Sequence, residues 1–304
     1  MRLRTAGLVF LYFLHLNRPG HDLPMRFDQM TIVGVGLIGG SVGLAAKARG
    51  AVDRVVGTAR DLANLELAAE LGAIDAWTTD LGEAVRDAAL IVVCTPVDRI
   101  ADVILQAALH CRVGAIFTDG GSTKKTIVDV VGDALPRGVS FVPAHPLAGS
   151  EKNGVQNARA DLFVNRTTIL CPGCGGDAEA FGRVEAFWQS LGSRVVVMTP
   201  DEHDRVLAST SHLPHAVSAG LAAVTPMEWL PLTAGGFRDT TRIAGGDPTL
   251  WAAIFQANRD SVLAALGQFT NRLDEFRQLL EAGDGAGLVH WLGEAKKVRD
   301  ALGS

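Results

Sequence analysis

Residues suited to acid–base chemistry occur in a few short segments of this sequence. His145 stands in Pro143-Ala144-His145-Pro146, directly after an apolar run that is typical of a β-strand. Histidine suits proton transfer near neutral pH because its ordinary pKa is about 6.5. Ser122 follows another apolar run and a Gly-Gly pair, so its hydroxyl could assist that imidazole or cap a helix. The sequence thus places a candidate base and a hydroxyl at the ends of two strands.

A glycine-rich turn supplies the second chemical feature. Gly34-Val35-Gly36-Leu37-Ile38-Gly39 fits the GxGxxG pattern, follows an apolar strand and opens an Ala-rich helix. In that pattern the glycines permit a tight turn, close approach of a pyrophosphate and close helix packing, and the helix start favours the anion. We predict a dinucleotide site here, with Thr95 and Pro96 after a later strand as further contacts.

The residue that ends the second predicted strand bears on the choice of cofactor. An acidic residue there would bind the ribose hydroxyls of NAD, but the strand ends in Ala59 and Arg60. Arg60 could hold a 2′-phosphate, which favours NADP and leaves NAD possible. Because Asp61 adjoins it, Arg60 could also be simply solvated.

The elements that must position these residues follow from the hydrophobic pattern. Strands are predicted at 30–33, 54–57, 90–94, 115–118, 139–142, 167–170 and 194–197, alternating with Ala/Leu/Glu-rich helices. After Pro200 the β-branched clusters vanish and helical spacing takes over. We therefore expect a doubly wound α/β, Rossmann-type domain over 30–199 and an all-α domain over 200–304 for substrate binding and dimerisation.

Composition limits the partners and the compartment. The formal net charge is −5 and only four residues are cysteine, so we expect no nucleic acid, no membrane and a reducing cytoplasm. Residues 1–29 are expected to form a flexible extension, since their apolar stretch is short and lacks a cleavage pattern. Cys171-Pro172-Gly173-Cys174 has no second cysteine pair, so we predict a turn and no metal site.

Several ordered motifs together resemble the prephenate/arogenate dehydrogenase family. They are the segments 119–122 (DGGS), 145–151 (HPLAGSE), 211–215 (SHLPH) and 235–244 (GGFRDTTRIA), followed by Asp247-Pro248 and Trp251. The resemblance extends from Met30 almost to the C-terminus. It implies oxidation at a hydroxyl-bearing ring carbon, with hydride transfer to nicotinamide and loss of the ring carboxylate as carbon dioxide.

The same resemblance implies roles for individual residues. His145 would accept the hydrogen bond of the substrate hydroxyl and assist its deprotonation, and Ser122 would bridge it to substrate and nicotinamide. Arg242 would bind a substrate carboxylate, which its planar guanidinium suits. Further substrate contacts would come from His215, Glu151 and Trp251. The histidine His212 and the pair His203-Asp204 are interpreted as structural.

Other functions stay open at this point. Arogenate could replace prephenate, since the two differ only in the keto or amino group of the side chain. Hydroxyacid dehydrogenases and imine reductases share the layout, but no G-x-x-K pattern lies between Ser211 and Asn258. A non-catalytic dinucleotide sensor would need neither His145 nor Arg242. The Ala/Leu-rich helical domain has apolar surface to spare, which predicts a homodimer.

Overall fold

The computed structural model describes residues 26–149, 152–172 and 177–303. The predicted extension therefore lies almost wholly outside the described residues, as do Glu151 and Cys174. Within the described ranges, no helix combines the length and apolarity needed to cross a membrane.

Six parallel strands form the central sheet, in the order β3-β2-β1-β4-β5-β6. The strands are β1 Phe27–Val33, β2 Val52–Thr58, β3 Ala76–Trp77, β4 Leu90–Val93, β5 Ile116–Asp119 and β6 Ser140–Val142. The helices between them are α1 Leu37–Ala48, α2 Leu62–Glu70, α3 Leu81–Val85, α4 Ile100–Ala108 and α5 Lys125–Val131. This is the Rossmann-type arrangement, which confirms the predicted fold class.

Burial on both faces explains why the central strands are continuously apolar. In β4, Leu90 and Val92 join the core on one face of the sheet, while Ile91 and Val93 join the core on the other. All four side chains are fully buried. A parallel sheet covered by helices on both faces requires this pattern.

A second, three-stranded sheet contains the last two of the seven predicted strands. It consists of β7 Ala144–Pro146, β8 Thr167–Leu170 and β9 Arg194–Val197, with α6 Ala178–Ser190 between the last two. β7 runs antiparallel to β8, and β8 runs parallel to β9. Pro143, which has no amide hydrogen to donate, separates β6 from β7, and the chain changes sheets there. Only three residues long, β7 was too short to be predicted as a strand.

Helices make up the chain after Pro200. They are α7 Pro200–Leu207, α8 Leu213–Ala223, α9 Gly235–Thr241, α10 Pro248–Ala257, α11 Arg259–Glu281 and α12 Gly285–Ala301. At the start of α7, the hydroxyl of Thr199 accepts from the amide of Glu202, and the Glu202 carboxylate accepts from the amide of Thr199. This reciprocal capping box fixes where the first helix begins. A π-helical turn, Ala208–His212, joins α7 to α8.

Candidate active site

The glycine loop between β1 and α1 has the geometry that a dinucleotide needs. Gly34 has a φ of +92°, and a Cβ there would lie 2.8 Å from the carbonyl of Cys94. A Cβ on Gly39 would lie 2.2 Å from the carbonyl oxygen of Gly34. By contrast, a Cβ built on Gly36 would have no heavy atom of the described residues within 4 Å, apart from its own chain neighbours. The outer glycines thus serve chain packing, and Gly36 faces open space where a pyrophosphate could approach.

Thr95, at the carboxyl end of β4, adds a second feature that fits a cofactor. Its hydroxyl is buried and has no hydrogen-bond partner among the described residues. An unpaired buried hydroxyl destabilises a protein by about 1–3 kcal/mol, so a ligand that bonded to it would remove that penalty. The side-chain amide of Asn64 donates to the carbonyl of Val35 over 2.6 Å and holds the loop against α2.

Two charged side chains, Arg60 and Asp61, follow β2. Asp61 is the N-cap of α2, and its carboxylate accepts from the amide of Asn64 at 3.4 Å. Arg60, one residue earlier, is exposed. The carboxylate next to Arg60 is thus engaged by the helix start.

His145 lies on β7 and begins a chain of hydrogen bonds to a buried carboxylate. Its Nδ1 is 2.8 Å from Nε2 of His203, and Nδ1 of His203 is 2.7 Å from Oδ1 of Asp204. His145 is half-buried, whereas His203 and Asp204, both on α7, are almost completely buried. Two histidines and an aspartate from separate halves of the chain are thereby joined.

The Asp204 carboxylate also fixes the start of α5. Its oxygens accept from the backbone amides of Lys124 and Lys125, at 2.7 and 2.9 Å. The Asp204 carbonyl in turn accepts from the side-chain amide of Asn258 at 2.7 Å. Because Asp204 is almost completely buried and two backbone amides hold its oxygens, the carboxylate has little freedom to rotate away from His203.

A buried ion pair lies between β7, which carries His145, and the glycine loop. The ammonium of Lys124 binds the carboxylate of Asp119, and both side chains are fully buried. Asp119 also accepts from the amides of Gly121 and Ala144, each at 2.9 Å. A Cβ on the intervening Gly120 would lie 3.2 Å from the side chain of Ile38. The end of β5 therefore joins the cofactor loop to the strand that carries His145.

Burial controls the protonation of these groups. It lowers the pKa of His145 well below the ordinary value, and the nearby His203 and Lys124 lower it further. Burial also lowers the pKa of His203, against the opposing effect of its bond to Asp204. Burial disfavours the charged form of Asp204, but bonds from His203 and two backbone amides outweigh it and lower that pKa. At neutral pH both imidazoles are neutral and the carboxylate is ionised.

A second histidine cluster lies on the π-helical turn and α8. The ring of His215 stacks on Trp251 with centroids 3.5 Å apart, and Nδ1 of His212 is 3.1 Å from the amide nitrogen of Asn258. Burial lowers the pKa of His212 to about 4. Nε2 of His212, Nδ1 of His215 and the hydroxyl of Ser218 are buried without partners among the described residues.

Comparison with known proteins places these features in one family. The model of the prephenate dehydrogenase nucleotide-binding domain matches residues 42–197, and that of the prephenate dehydrogenase dimerization domain matches residues 199–294. The chain belongs to the prephenate dehydrogenase family. It is thus an oxidoreductase that uses a nicotinamide dinucleotide, as its motifs predicted.

Individual members of the prephenate dehydrogenase family are similar over most of their length. The prephenate dehydrogenase of Bacillus subtilis is 35% identical over 90% of this chain and 76% of its own length. The cyclohexadienyl dehydrogenase of Zymomonas mobilis is 34% identical over 91% of this chain and 96% of its own. The crystal structure of A. aeolicus prephenate dehydrogenase with hydroxyphenyl propionate and NAD+ superposes with a TM-score of 0.84, at 30% identity, covering 90% of this chain and 98% of that one.

The structure brings some of the residues predicted from the family motifs together. Arg242 is exposed on a 3₁₀ turn, Arg242–Gly245, which packs against α8. A Cβ on the next residue, Gly246, would lie 2.6 Å from Nε1 of Trp251 and 3.1 Å from His215. The arginine turn thus adjoins His215 and Trp251. This cluster connects to His145 through His212, Asn258, Asp204 and His203.

Other expectations need correction. Ser122 does not cap α5, because that helix begins at Lys125 and its first amides bond to Asp204. Ser122 remains half-buried before the helix. His203, interpreted as structural together with Asp204, bonds to His145, and Asp204 bonds to His203. His145 and His203 are 58 positions apart in the sequence, which hides that contact, and the only signal was the place of His203 and Asp204 just after a predicted helix start.

Proposed function

We propose that this chain oxidises and decarboxylates prephenate to 4-hydroxyphenylpyruvate, a step of tyrosine biosynthesis, with hydride transfer to a nicotinamide dinucleotide. The observation that carries the proposal is that the strand of His145 is linked through Asp119 and Gly120 to a loop with the geometry of a dinucleotide site, while burial lowers the pKa of this imidazole. A base in its unprotonated form next to a hydride acceptor is what oxidation of an alcohol requires.

The residues of the chain divide the work of this reaction. His145 takes the proton of the ring hydroxyl as the hydride leaves the ring carbon that bears this hydroxyl. The bound dinucleotide would supply the hydride acceptor. When the bond to the ring carboxylate then breaks and carbon dioxide departs, its electron pair completes the aromatic ring, and the oxygen recovers its proton from His145. The imidazole ends each turnover in its starting form.

Binding of the substrate's two carboxylates requires hydrogen-bond donors other than His145 and the dinucleotide. Arg242 is suited to one of them because a guanidinium forms two parallel hydrogen bonds to a carboxylate. His215, on the adjoining helix, offers a buried ring nitrogen that has no hydrogen-bond partner in the described part of the chain. Ser122 lies between the end of β5 and the start of α5, and in this proposal its hydroxyl bridges base and substrate. Glu151 and Trp251 complete the proposed substrate set.

NADP is the cofactor that the sequence favours. Arg60 is exposed directly beyond β2, and the neighbouring carboxylate of Asp61 is engaged as a helix cap. A guanidinium in that place can pair with a 2′-phosphate, whereas β2 is followed by no acidic residue before Asp61, the cap of α2. NAD is the alternative, and the A. aeolicus relative was crystallised with it.

The absorbance of the reduced nicotinamide tests both the proposed substrate and the proposed cofactor. Purified protein is offered prephenate and arogenate in turn, each with NADP and with NAD. We expect the highest kcat/KM for prephenate with NADP. A preference for arogenate would reassign the substrate, a preference for NAD would end the cofactor proposal, and no turnover with any pair would favour a non-catalytic sensor.

The assembly and compartment are also proposals. The exposed leucines Leu266, Leu273 and Leu280 recur every seven residues along α11 and form a stripe that a second copy could cover. We propose a homodimer through this stripe. The three cysteines that the structure describes, Cys94, Cys111 and Cys171, are free thiols, which suits the reducing cytoplasm that we propose.

A further inference from the structure

A buried histidine and its neighbouring aspartate lie behind His145, and the proposed reaction does not yet use them. We infer that His203 and Asp204 are positioning residues that hold His145 as the tautomer protonated on Nδ1, so that Nε2 is the proton acceptor toward the substrate. This inference rests on the proposed function for its role in catalysis. The tautomer itself can be measured without any substrate.

The direction of the hydrogen bonds follows from their carboxylate end. An ionised carboxylate only accepts hydrogen bonds, so Nδ1 of His203 must donate to Asp204 across the 2.7 Å between them. A neutral imidazole carries one hydrogen, which leaves Nε2 of His203 as an acceptor. Nδ1 of His145, 2.8 Å away, must then carry the hydrogen of that contact.

The opposite tautomer would remove the base. If Nδ1 of His145 were the acceptor, its Nε2 would carry the hydrogen and could not take a proton from a substrate. In a serine protease triad, an aspartate-to-asparagine change that favours the wrong histidine tautomer lowers kcat about 10⁴-fold. Asp204 corresponds to the aspartate of that triad, but it acts on His145 through the additional imidazole of His203.

His145, His203 and Asp204 form a hydrogen-bonded relay, and the surroundings of this relay favour one arrangement of its hydrogens. His203 is fully buried and Asp204 nearly so, so no bulk water competes for the two contacts. The Asp204 carboxylate is held by the amides of Lys124 and Lys125, and Asn258 holds its backbone carbonyl. When His145 takes up a proton, the resulting imidazolium can donate to His203, and the negative charge of Asp204 lies beyond it.

Nitrogen-15 NMR on histidine-labelled protein tests the tautomer directly. The chain has eight histidines, and the signals of His145 are assigned as those lost in His145→Asn. We expect His145 with a protonated Nδ1 and an unprotonated Nε2 in the free protein. We expect a mixture of tautomers in His203→Ala. A wild-type His145 with its hydrogen on Nε2 would overturn the inference.

Kinetics separate a positioning role from a merely structural one. His203→Ala is expected to lower kcat roughly 10²-fold or more, with the KM for the dinucleotide within about twofold, and added imidazole should restore part of the loss. His203→Gln, whose side-chain carbonyl can still accept from Nδ1 of His145, should retain at least about tenfold more activity than His203→Ala. The control His110→Ala removes an exposed histidine and should match the wild type.

The two experiments can fail separately. Equal losses in His203→Ala and His203→Gln, with no response to imidazole, would reduce His203 to a packing residue. Turnover of prephenate by a protein whose His145 has the wrong tautomer would refute the relay and leave the function standing. If the protein showed the expected tautomer but turned over neither prephenate nor arogenate, the proposed function would be refuted and the geometry of the relay would stand.

Discussion

At the scale of single residues, burial favours the unprotonated form of His145. A base must be unprotonated to act, and desolvation together with the positive charge nearby lowers the pKa of this imidazole well below its usual range. As pH falls, activity should therefore persist below pH 6.5, roughly the ordinary histidine pKa. We expect kcat/KM to be flat around neutrality and to decline only at lower pH. A decline centred at or above the ordinary value would contradict this assignment of the base.

Replacement of the imidazole itself gives a sharper test at the same scale. His145→Asn keeps a polar side chain on β7 but removes the base, so kcat should fall on the order of 10²- to 10⁴-fold. Dinucleotide affinity, measured by fluorescence titration, should stay within about twofold, because the cofactor loop is untouched. Near-normal turnover would remove His145 from the reaction.

The glycines of the cofactor loop offer a matched pair of substitutions. In Gly36→Ala the added methyl meets no protein atom, so stability should be unchanged while the Kd for the dinucleotide rises about tenfold or more. In Gly39→Ala the methyl would clash with the backbone of Gly34, so the protein itself should lose stability. Thermal unfolding and cofactor titration distinguish the two. Equal behaviour of the variants would refute the division of roles.

At the scale of elements, the capping box of α7 holds the relay in place. His203 and Asp204 lie in the first two turns of this helix, whose start is fixed by Thr199 and Glu202. Thr199→Ala should destabilise the protein by about 1 kcal/mol and lower Tm by roughly 2–4 °C. It should also lower kcat without changing the KM for the dinucleotide.

Thr225→Ala is the matched control for that change. It removes a hydroxyl just beyond the end of α8, which bonds to the carbonyl of Leu221 and takes no part in the capping box of α7. Its Tm and kcat should stay close to the wild-type values. If Thr199→Ala behaved like this control, the capping box would have no part in positioning the relay.

For the whole molecule, the stripe of leucines on α11 predicts the assembly. Leu273→Glu places a charge in the middle of that stripe, which should disfavour burial against a second copy. Light scattering should give twice the chain mass of 32.0 kDa for the wild type and a shift toward the single-chain mass for the variant. Leu109→Glu, at an exposed leucine of the α/β half, should remain dimeric. A monomeric wild type would contradict the proposal.

The sequence by itself determined the parts of this protein that depend on local pattern. Short apolar strands alternating with helices predicted the α/β sheet, and the spacing of Gly34, Gly36 and Gly39 predicted the cofactor loop. Both signals are local because neighbouring residues decide hydrophobic periodicity and turn conformation. The predicted bounds of β8 and β9 coincide with the observed ones, although these strands belong to a second sheet.

Only the tertiary structure decided what surrounds His145. The bonds from His145 to His203 and from Lys124 to Asp204 span 58 and 80 residues, and no local pattern encodes which distant side chains will meet. The switch between sheets at Pro143 turns His145 toward α7, and burial then sets its pKa. Long-range packing and desolvation are properties of the folded chain, so the sequence supplied His145 as the candidate base, but the partners of this imidazole and the direction of its pKa shift came from the fold.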